Sequence, residues 1–209
     1  MSSITIKTLA EEHRQSIIDL LLRSFFLQEP LNSVLKFDLP NEPLSWVNHI
    51  LNNAVKGECS FVAIDTSNQE QRLVGVIINR ISNENVVDNF VTPSPTLNTI
   101  FNIIDKLHAG YDFYQRFQTD RLFHCEVINI DESQRGQNLS DRLITAALEK
   151  AVQLKIQGAL VVCTSIFSRK AFAKYGFQVI NELIYSELGN EKLLNMGIHD
   201  RCTLLAKKL

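Results

Sequence analysis

Two places in this 209-residue chain combine residue types and spacing suited to chemistry. The first is Val127-Ile128-Asn129-Ile130-Asp131-Glu132-Ser133-Gln134-Arg135-Gly136-Gln137-Asn138-Leu139-Ser140. An apolar, strand-like run ends at Ile130, a polar turn follows, and a helical pattern starts near Gln137. A strand that enters a helix through a tight Arg-Gly turn gathers unpaired backbone N–H groups at the positive end of the helix dipole. Such a spot suits a phosphate or pyrophosphate. Most strand-turn-helix junctions bind nothing, so the turn alone does not decide. The second place is Phe25-Phe26-Leu27-Gln28-Glu29-Pro30. A carboxylate in partly apolar surroundings can have its pKa raised into the range of a general base. Glu29 follows two phenylalanines, and Pro30 fixes the chain beside it. The plain alternative is a solvated, helix-terminal glutamate.

The elements that must carry these residues follow from apolar periodicity. Residues 4–8 alternate and predict a strand, and from Glu11 the spacing of Ile17, Leu20, Leu21 and Phe25 predicts a helix. That helix is expected to stop near Gln28, because a proline disfavours helical geometry in the residue before it. A second helix is expected over 44–55, entered through Pro43 and closed by Gly57. Strands over 59–64 and 73–79, joined by a short polar link, read as an antiparallel hairpin. The segment 97–117 has helical spacing broken near Gly110, and residues 93–118 read as a helical insertion. Residues 122–130 form the strand that feeds the turn, and the helix after it places Leu139, Leu143, Ala146 or Ala147, and Ala151 on one face. A buried strand over 158–163 is expected to run parallel to its predecessor across this strand-helix-strand unit. A short helix over 168–175, a Gly176-Phe177 corner, and strands through Ile184-Tyr185 and over 201–207 complete the order. The whole, 1–209, reads as a single α/β domain with mixed strand order and no linker.

Bulk properties exclude several classes. Apolar residues make up 45% and charged residues 21%, as in a globular protein with a real core. The formal net charge is -2, so no general basic field attracts nucleic acid. No apolar run approaches the roughly 20 residues of a membrane span, and the first residues lack a signal-peptide layout, so a cytoplasmic location is expected. Four dispersed cysteines without a Cys-x-x-Cys pair read as buried free thiols, and five scattered histidines show no metal-ligand spacing.

The strand order, the Arg-Gly turn and the late Lys174-Tyr175-Gly176-Phe177 together resemble the GCN5-related N-acetyltransferase (GNAT) superfamily over nearly the whole chain. The resemblance implies a mostly antiparallel central sheet with one splayed parallel pair and flanking helices. It implies acetyl-CoA as co-substrate, with no metal. The pyrophosphate would lie on the backbone of Arg135, Gly136, Gln137, Asn138, Leu139 and Ser140, and pantetheine on the strand edge at Ile128, Asn129 and Ile130. Two departures stand in the turn: Asn138 replaces the second glycine, and Ser140 replaces a Gly or Ala. Asn tolerates left-handed backbone better than other non-glycine residues, and Ser140 is small. Phe25 to Asn32 is similar to the Asp-Glu-Pro-Leu segment of the invertebrate arylalkylamine N-acetyltransferase branch. Cys163-Thr164-Ser165-Ile166-Phe167-Ser168 is similar to the branch's Thr/Ser-Ser-x-Tyr/Phe-Ser segment.

That branch implies a small primary amine as acceptor, of the dopamine, serotonin or tryptamine type. An amine arrives as ammonium and must lose a proton before attacking a thioester, and the resemblance gives Glu29 the general-base role. It also implies catalytic hydroxyls on Thr164 and Ser168; Ser168 suits a helix N-cap equally well. The tyrosine acid of many superfamily members is replaced here by Phe172. Phe25 and Phe26, with Trp46 and Tyr111, are candidates to line the amine pocket or simply to pack the core. Two other readings stay open. One keeps the fold and changes the acceptor to a polyamine, an agmatine-like amine or a protein terminus. Such cations call for several acidic residues at the mouth, and the sequence does not place them. The other is a degenerate fold that binds acyl-CoA without catalysis. Oligomeric state is not legible.

Overall fold

The computed structural model describes residues 4–67, 71–86 and 88–209. The chain begins with β1 (Ile4–Thr8) and a 3-10 turn (Glu11–His13). A helical stretch follows: α1 (Arg14–Leu20), a π-helical turn (Leu21–Phe25) and α2 (Phe26–Gln28). Glu29 leaves the helix in extended geometry (φ -64°, ψ 131°), as the proline after it requires. The same Pro30 opens α3 (Pro30–Leu35), which periodicity does not reveal, since proline is pre-organised for a first helical turn. Next comes α4 (Asn41–Gly57), closed by Glu58 in left-handed geometry rather than by Gly57.

Then come β2 (Phe61–Asp65) and β3 (Arg72–Asn83), antiparallel as expected, with residues 68–70 of their link outside the described residues. α5 (Pro95–His108) and α6 (Phe113–Phe117) are separated at Gly110. The second half is β4 (Arg121–Ile130), a 3-10 turn (Glu132–Gln134), α7 (Leu139–Gln153), β5 (Gly158–Cys163), α8 (Ile166–Ala173), β6 (Gln178–Ile184) and β7 (Arg201–Lys208). α7 starts two residues later than the helical pattern suggests, because Gly136 and Asn138 both take positive φ (78° and 57°).

Among the described residues seven strands form one sheet in the order β1-β2-β3-β4-β5-β7-β6. Its pairs are antiparallel except β4 with β5, which run parallel. Helices cover both faces, so the strands read as nearly continuous apolar runs, and the alternation sorts side chains between layers. Val62, Ile64, Val76 and Ile78 pack against Ile17, Leu20, Val47, Ile50 and Leu51. Ala63, Ile77, Ala159 and Val161 face Leu139, Leu143, Ile144, Ala147 and Ala151 of α7. Leu160 and Leu204 join Leu31, Leu35, Ile103, Leu107 and Phe117 in a third cluster. All four cysteines are buried free thiols.

The β4–β5 pairing decides where a site can form. It runs from Leu122 opposite Gly158 to Cys125 opposite Val161 and stops there. On the other side, β3 pairs Ile78 with Val127 and Asn79 with Cys125, so Glu126 is an extra, bulged residue. Beyond the bulge the edge of β4 has no β5 partner, and the sheet opens into a cleft. Among the described residues no helix is long and apolar enough to cross a membrane.

Candidate active site

The cleft holds a cavity of about 640 Å³. It reaches from Ser140 and Arg135, along Val127, Ile128, Asn129 and Ile130, to Glu29, Thr164, Ser165 and Ser168. Aromatic walls (Phe25, Phe26, Phe37, Trp46 and Phe101) close the far end. Residues more than a hundred positions apart in sequence thus share one space. Phe25, Phe26 and Trp46 line it as expected; Tyr111 does not, because its hydroxyl donates to the Ile180 carbonyl elsewhere on the surface.

Glu29 stands at the break between α2 and α3, where it does two things. As N-cap of α3, its Oε2 accepts the Asn32 N–H at 2.8 Å. Its Oε1 accepts the Thr164 hydroxyl at 2.7 Å, across 135 positions of sequence. Burial pushes the carboxyl above the ordinary glutamate range, while the Asn32 N–H, the Thr164 hydroxyl and the Leu31 N–H oppose that rise. Glu29 is thus helix-terminal, as the plain alternative had it, but its carboxylate is buried at the cavity rather than solvated. Three donors leave the two carboxylate oxygens, with about four acceptor sites between them, some capacity for a further proton or donor.

Thr164 follows the last residue of β5, and its hydroxyl is committed to Glu29. The N-cap of α8 is Ser165, whose Oγ accepts the Ser168 N–H at 3.2 Å. Ser168 is therefore not the cap: the helix starts at Ile166, and Ser168 sits three residues past the cap. Its hydroxyl lines the cavity, donates to the Ser165 carbonyl at 3.0 Å and lies 3.0 Å from the Ser165 hydroxyl. Sequence reasoning passed over Ser165, although a serine three residues before another polar residue is a readable capping spacing. Phe172 is buried and packs edge-on against Phe177, so no acid stands at that place. Tyr175 instead donates to the Asp141 carbonyl at 2.8 Å. Burial pushes the Cys163 thiol up to about 12, which disfavours the thiolate that a covalent route needs.

The Arg-Gly turn has the geometry of an anion cradle. Gly136, with positive φ, has open space where a Cβ would point, and Asn138 in left-handed geometry precedes α7 without a side-chain cap bond. The first N–H groups of α7 have no intrahelical acceptor. Gln137 donates to Gln134 Oε1 at 2.9 Å, and Leu139 packs its side chain into the core, leaving only its backbone for a ligand. Asn129 accepts the Ser24 hydroxyl at 3.2 Å, and its Nδ2 is buried without an acceptor among the described residues. An uncapped helix start joined by a cleft to an unpaired strand edge fits a pyrophosphate followed by an amide-bearing chain. Replacing Asn138 with Gly keeps the left-handed turn and removes no hydrogen bond of the cap. Acetyl-CoA affinity by calorimetry is expected to hold or tighten in that variant, and weakening would assign the Asn side chain a direct contact.

Sequence reading also missed the clamp between this turn and the Glu29 segment. Arg135 donates to Gln28 Oε1 at 2.6 Å, to Ser24 Oγ at 3.4 Å and to the Ile130 carbonyl at 3.2 Å. Gln28 in turn donates to Glu132 at 3.0 Å. Beside it Asp131 accepts from Arg72 at 2.7 Å and Arg23 at 3.0 Å. Burial works against ionisation of Asp131, yet the Ser133 hydroxyl and the two arginines hold its carboxyl down at about 2. The π-helical turn carries Ser24 and Phe25 to this junction, an irregularity of the kind found at functional sites. Among the described residues no group of three or more His, Cys, Asp or Glu is placed to hold a metal ion.

Comparison with known proteins places this architecture. The family model for the acetyltransferase (GNAT) domain matches residues 108–189. The chain superposes on arylalkylamine N-acetyltransferase 2 from Aedes aegypti with a TM-score of 0.84 and 22% identity, over 99% of each chain. For a mosquito arylalkylamine N-acetyltransferase like 5b the values are 0.81 and 19%, over 99% of this chain and 100% of that one. A Drosophila melanogaster polyamine N-acetyltransferase, an enzyme that forms N-acetylagmatine, gives 0.78 and 18%, over 99% of this chain and 100% of that one. The sheet is that of the GNAT fold, with its single parallel pair at the cleft.

Proposed function

We propose that this chain, which has the GNAT fold and matches the GNAT domain model over 108–189, transfers an acetyl group from acetyl-CoA to a small primary amine of the arylalkylamine type. The observation that carries the reading is Glu29: a carboxylate with raised pKa, fixed by Thr164 and Asn32 on the wall of the cavity that starts at the Arg135–Ser140 turn.

In this reading the turn and the start of α7 hold the pyrophosphate, and the β4 edge at 128–130 holds the pantetheine arm. Phe25, Phe26, Phe37 and Trp46 hold the carbon body of the amine, and exclude water around it. Glu29, directly or through one water, takes a proton from the ammonium. The neutral nitrogen then attacks the thioester carbon without an enzyme nucleophile. As the tetrahedral species collapses, the carbon–sulfur bond breaks, and the second proton lost from nitrogen ends on the departing sulfur. Ser168 and Ser165, which border the same cavity, supply hydroxyls near the charge that develops there. The chemistry needs no metal.

Calorimetry with acetyl-CoA, followed by mass spectrometry of mixtures with tryptamine or phenethylamine, tests this reading. Binding of acetyl-CoA and appearance of the N-acetylamine are expected. Absence of acetyl-CoA binding defeats the enzymatic reading altogether; binding without product from these two amines defeats the arylalkylamine acceptor and leaves another amine or a non-catalytic acyl-CoA protein. The localisation that goes with this reading is cytoplasmic.

A further inference from the structure

Behind Glu29 and Thr164 stands a buried tyrosine that takes no part in the acyl-transfer steps. The pairing of β5 with β7 stops at Cys163 opposite Thr203, so Thr164 is the first residue past the ladder. Its carbonyl takes a donor from a side chain instead, the Tyr185 hydroxyl at 3.0 Å. Tyr185 opens a 3-10 turn (Tyr185–Glu187) directly after β6, and its own N–H donates to the Asp200 carbonyl at 2.9 Å. The side chain is fully buried and packs in the cluster that holds Leu31 and Leu35 of α3, the helix that Glu29 caps. A buried tyrosine hydroxyl needs a partner. The one it has here belongs to the residue that bonds Glu29.

Thr164 is therefore held at both ends. Tyr185 anchors its carbonyl, and its hydroxyl donates to Glu29 Oε1 at 2.7 Å. Fixing the carbonyl fixes the backbone from which that hydroxyl projects, at a place where strand pairing no longer does so. The chain then enters α8 at once: Ser165 caps the helix, and the Ile166 N–H donates to His199 Nδ1 at 3.3 Å. Burial, with Cys202 and the Glu29 carboxylate nearby, raises the Tyr185 hydroxyl far above the ordinary tyrosine range, so it stays a donor. The other ionisable groups around the pair are Cys163 and Cys202, which burial keeps as thiols, and, on the cavity wall, Glu126, Arg135 and His199.

We infer that Tyr185 is a positioning residue for the acyl transfer: by holding the Thr164 carbonyl it sets the hydroxyl bond that Glu29 receives. It touches no substrate and acts through Thr164. Its effect on rate rests on the reading of Glu29 as the base, but the contact itself is read from the Glu29 carboxyl without turnover.

The test titrates the Glu29 carboxyl by carbon NMR in the full chain, its resonance identified by its loss in Glu29→Gln, and measures kcat/KM against pH. Tyr185→Phe removes the donor and keeps the ring. The loosened Thr164 hydroxyl then opposes burial less, so the Glu29 titration and the acidic limb are expected to move to higher pH. Near neutral pH kcat/KM is expected to fall about fivefold, less than on deleting the Thr164 hydroxyl itself, with acetyl-CoA affinity unchanged. A 4-fluorophenylalanine at position 185 fills the space of the hydroxyl without donating, and keeps the test open if Tyr185→Phe fails to fold. A 4-aminophenylalanine there supplies an N–H donor and is expected to restore both rate and titration. In a Thr164→Val background, removing the Tyr185 hydroxyl is expected to change the rate less than about twofold and to leave the titration in place, because members of one network are not additive. An unmoved titration overturns the inference, whether or not the rate falls. A shift of the same size in the Thr164→Val background also overturns it, because Tyr185 would then act on Glu29 directly. Turnover that depends on Glu29 but not on Tyr185 sinks this inference alone; a Glu29 titration that follows Tyr185 in a chain without turnover sinks only the acyl-transfer reading.

Discussion

Glu29→Gln is expected to lower kcat/KM for the amine by about a hundredfold to a thousandfold, the range in which a positioned base acts. The substitution keeps the shape of the side chain: its one amide oxygen accepts the Asn32 N–H, so α3 stays capped, and its NH2 donates to the Thr164 hydroxyl in place of the bond that Glu29 accepts. What it removes is the site for a proton. Acetyl-CoA affinity is expected to stay unchanged, because the Glu29 carboxylate bonds to Asn32 and Thr164, while Arg135 of the turn bonds to Gln28 and Ser24. The pH profile adds a second signature. Burial raises the Glu29 carboxyl above its ordinary range, so the wild-type acidic limb should lie above that of an exposed glutamate, and activity should fall as pH drops through it. The variant should lose that limb. Unchanged turnover would take Glu29 out of the mechanism.

Thr164→Val is expected to lower kcat/KM near neutral pH by about tenfold, through the same carboxylate. The Thr164 hydroxyl donates to Glu29 Oε1 at 2.7 Å and stabilises its charged form. Valine keeps the volume and deletes the donor. With burial then less opposed, the pKa of Glu29 rises further. More of the base is protonated at a given pH, and the acidic limb moves to higher pH. Thr164→Ser should restore both rate and limb, since the hydroxyl is what acts. A rate loss with an unmoved limb would mean that Thr164 works on the thioester rather than on the base.

These two residues show what was legible in the sequence and what was not. The end of the first helix at Gln28 is a local consequence of Pro30, and the strand over 158–163 is a local consequence of unbroken apolar residues; both were readable. So were the strand, Arg-Gly turn and helix around residues 127–143, and the parallel pairing that opens the cleft. The bond from Thr164 to Glu29 was not, because it spans 135 positions and no periodicity encodes it. The same holds for the Arg135–Gln28 clamp. The bulge at Glu126 was hidden for another reason: buried and half-buried residues keep alternating from Phe123 to Ile130, so the extra residue leaves no break in the pattern. The π-helical turn at 21–25 likewise blends into a pattern that a straight helix also satisfies. α3 went unread because proline served as a stop signal and was also a start signal.

Sequence alone could not assemble Asp88, Asp105 and Glu126, which come from a loop, a helix and a strand bulge. Folding brings them to one cavity next to the aromatic compartment.

The most direct measurement is release of free CoA from acetyl-CoA by the purified chain, followed with a thiol reagent, with and without a panel of primary amines. Release is expected only when an amine is present, matched mole for mole by N-acetylamine, and nearly abolished by Glu29→Gln. Release without amine, or none with any amine of the panel, would contradict direct amine acylation at this site.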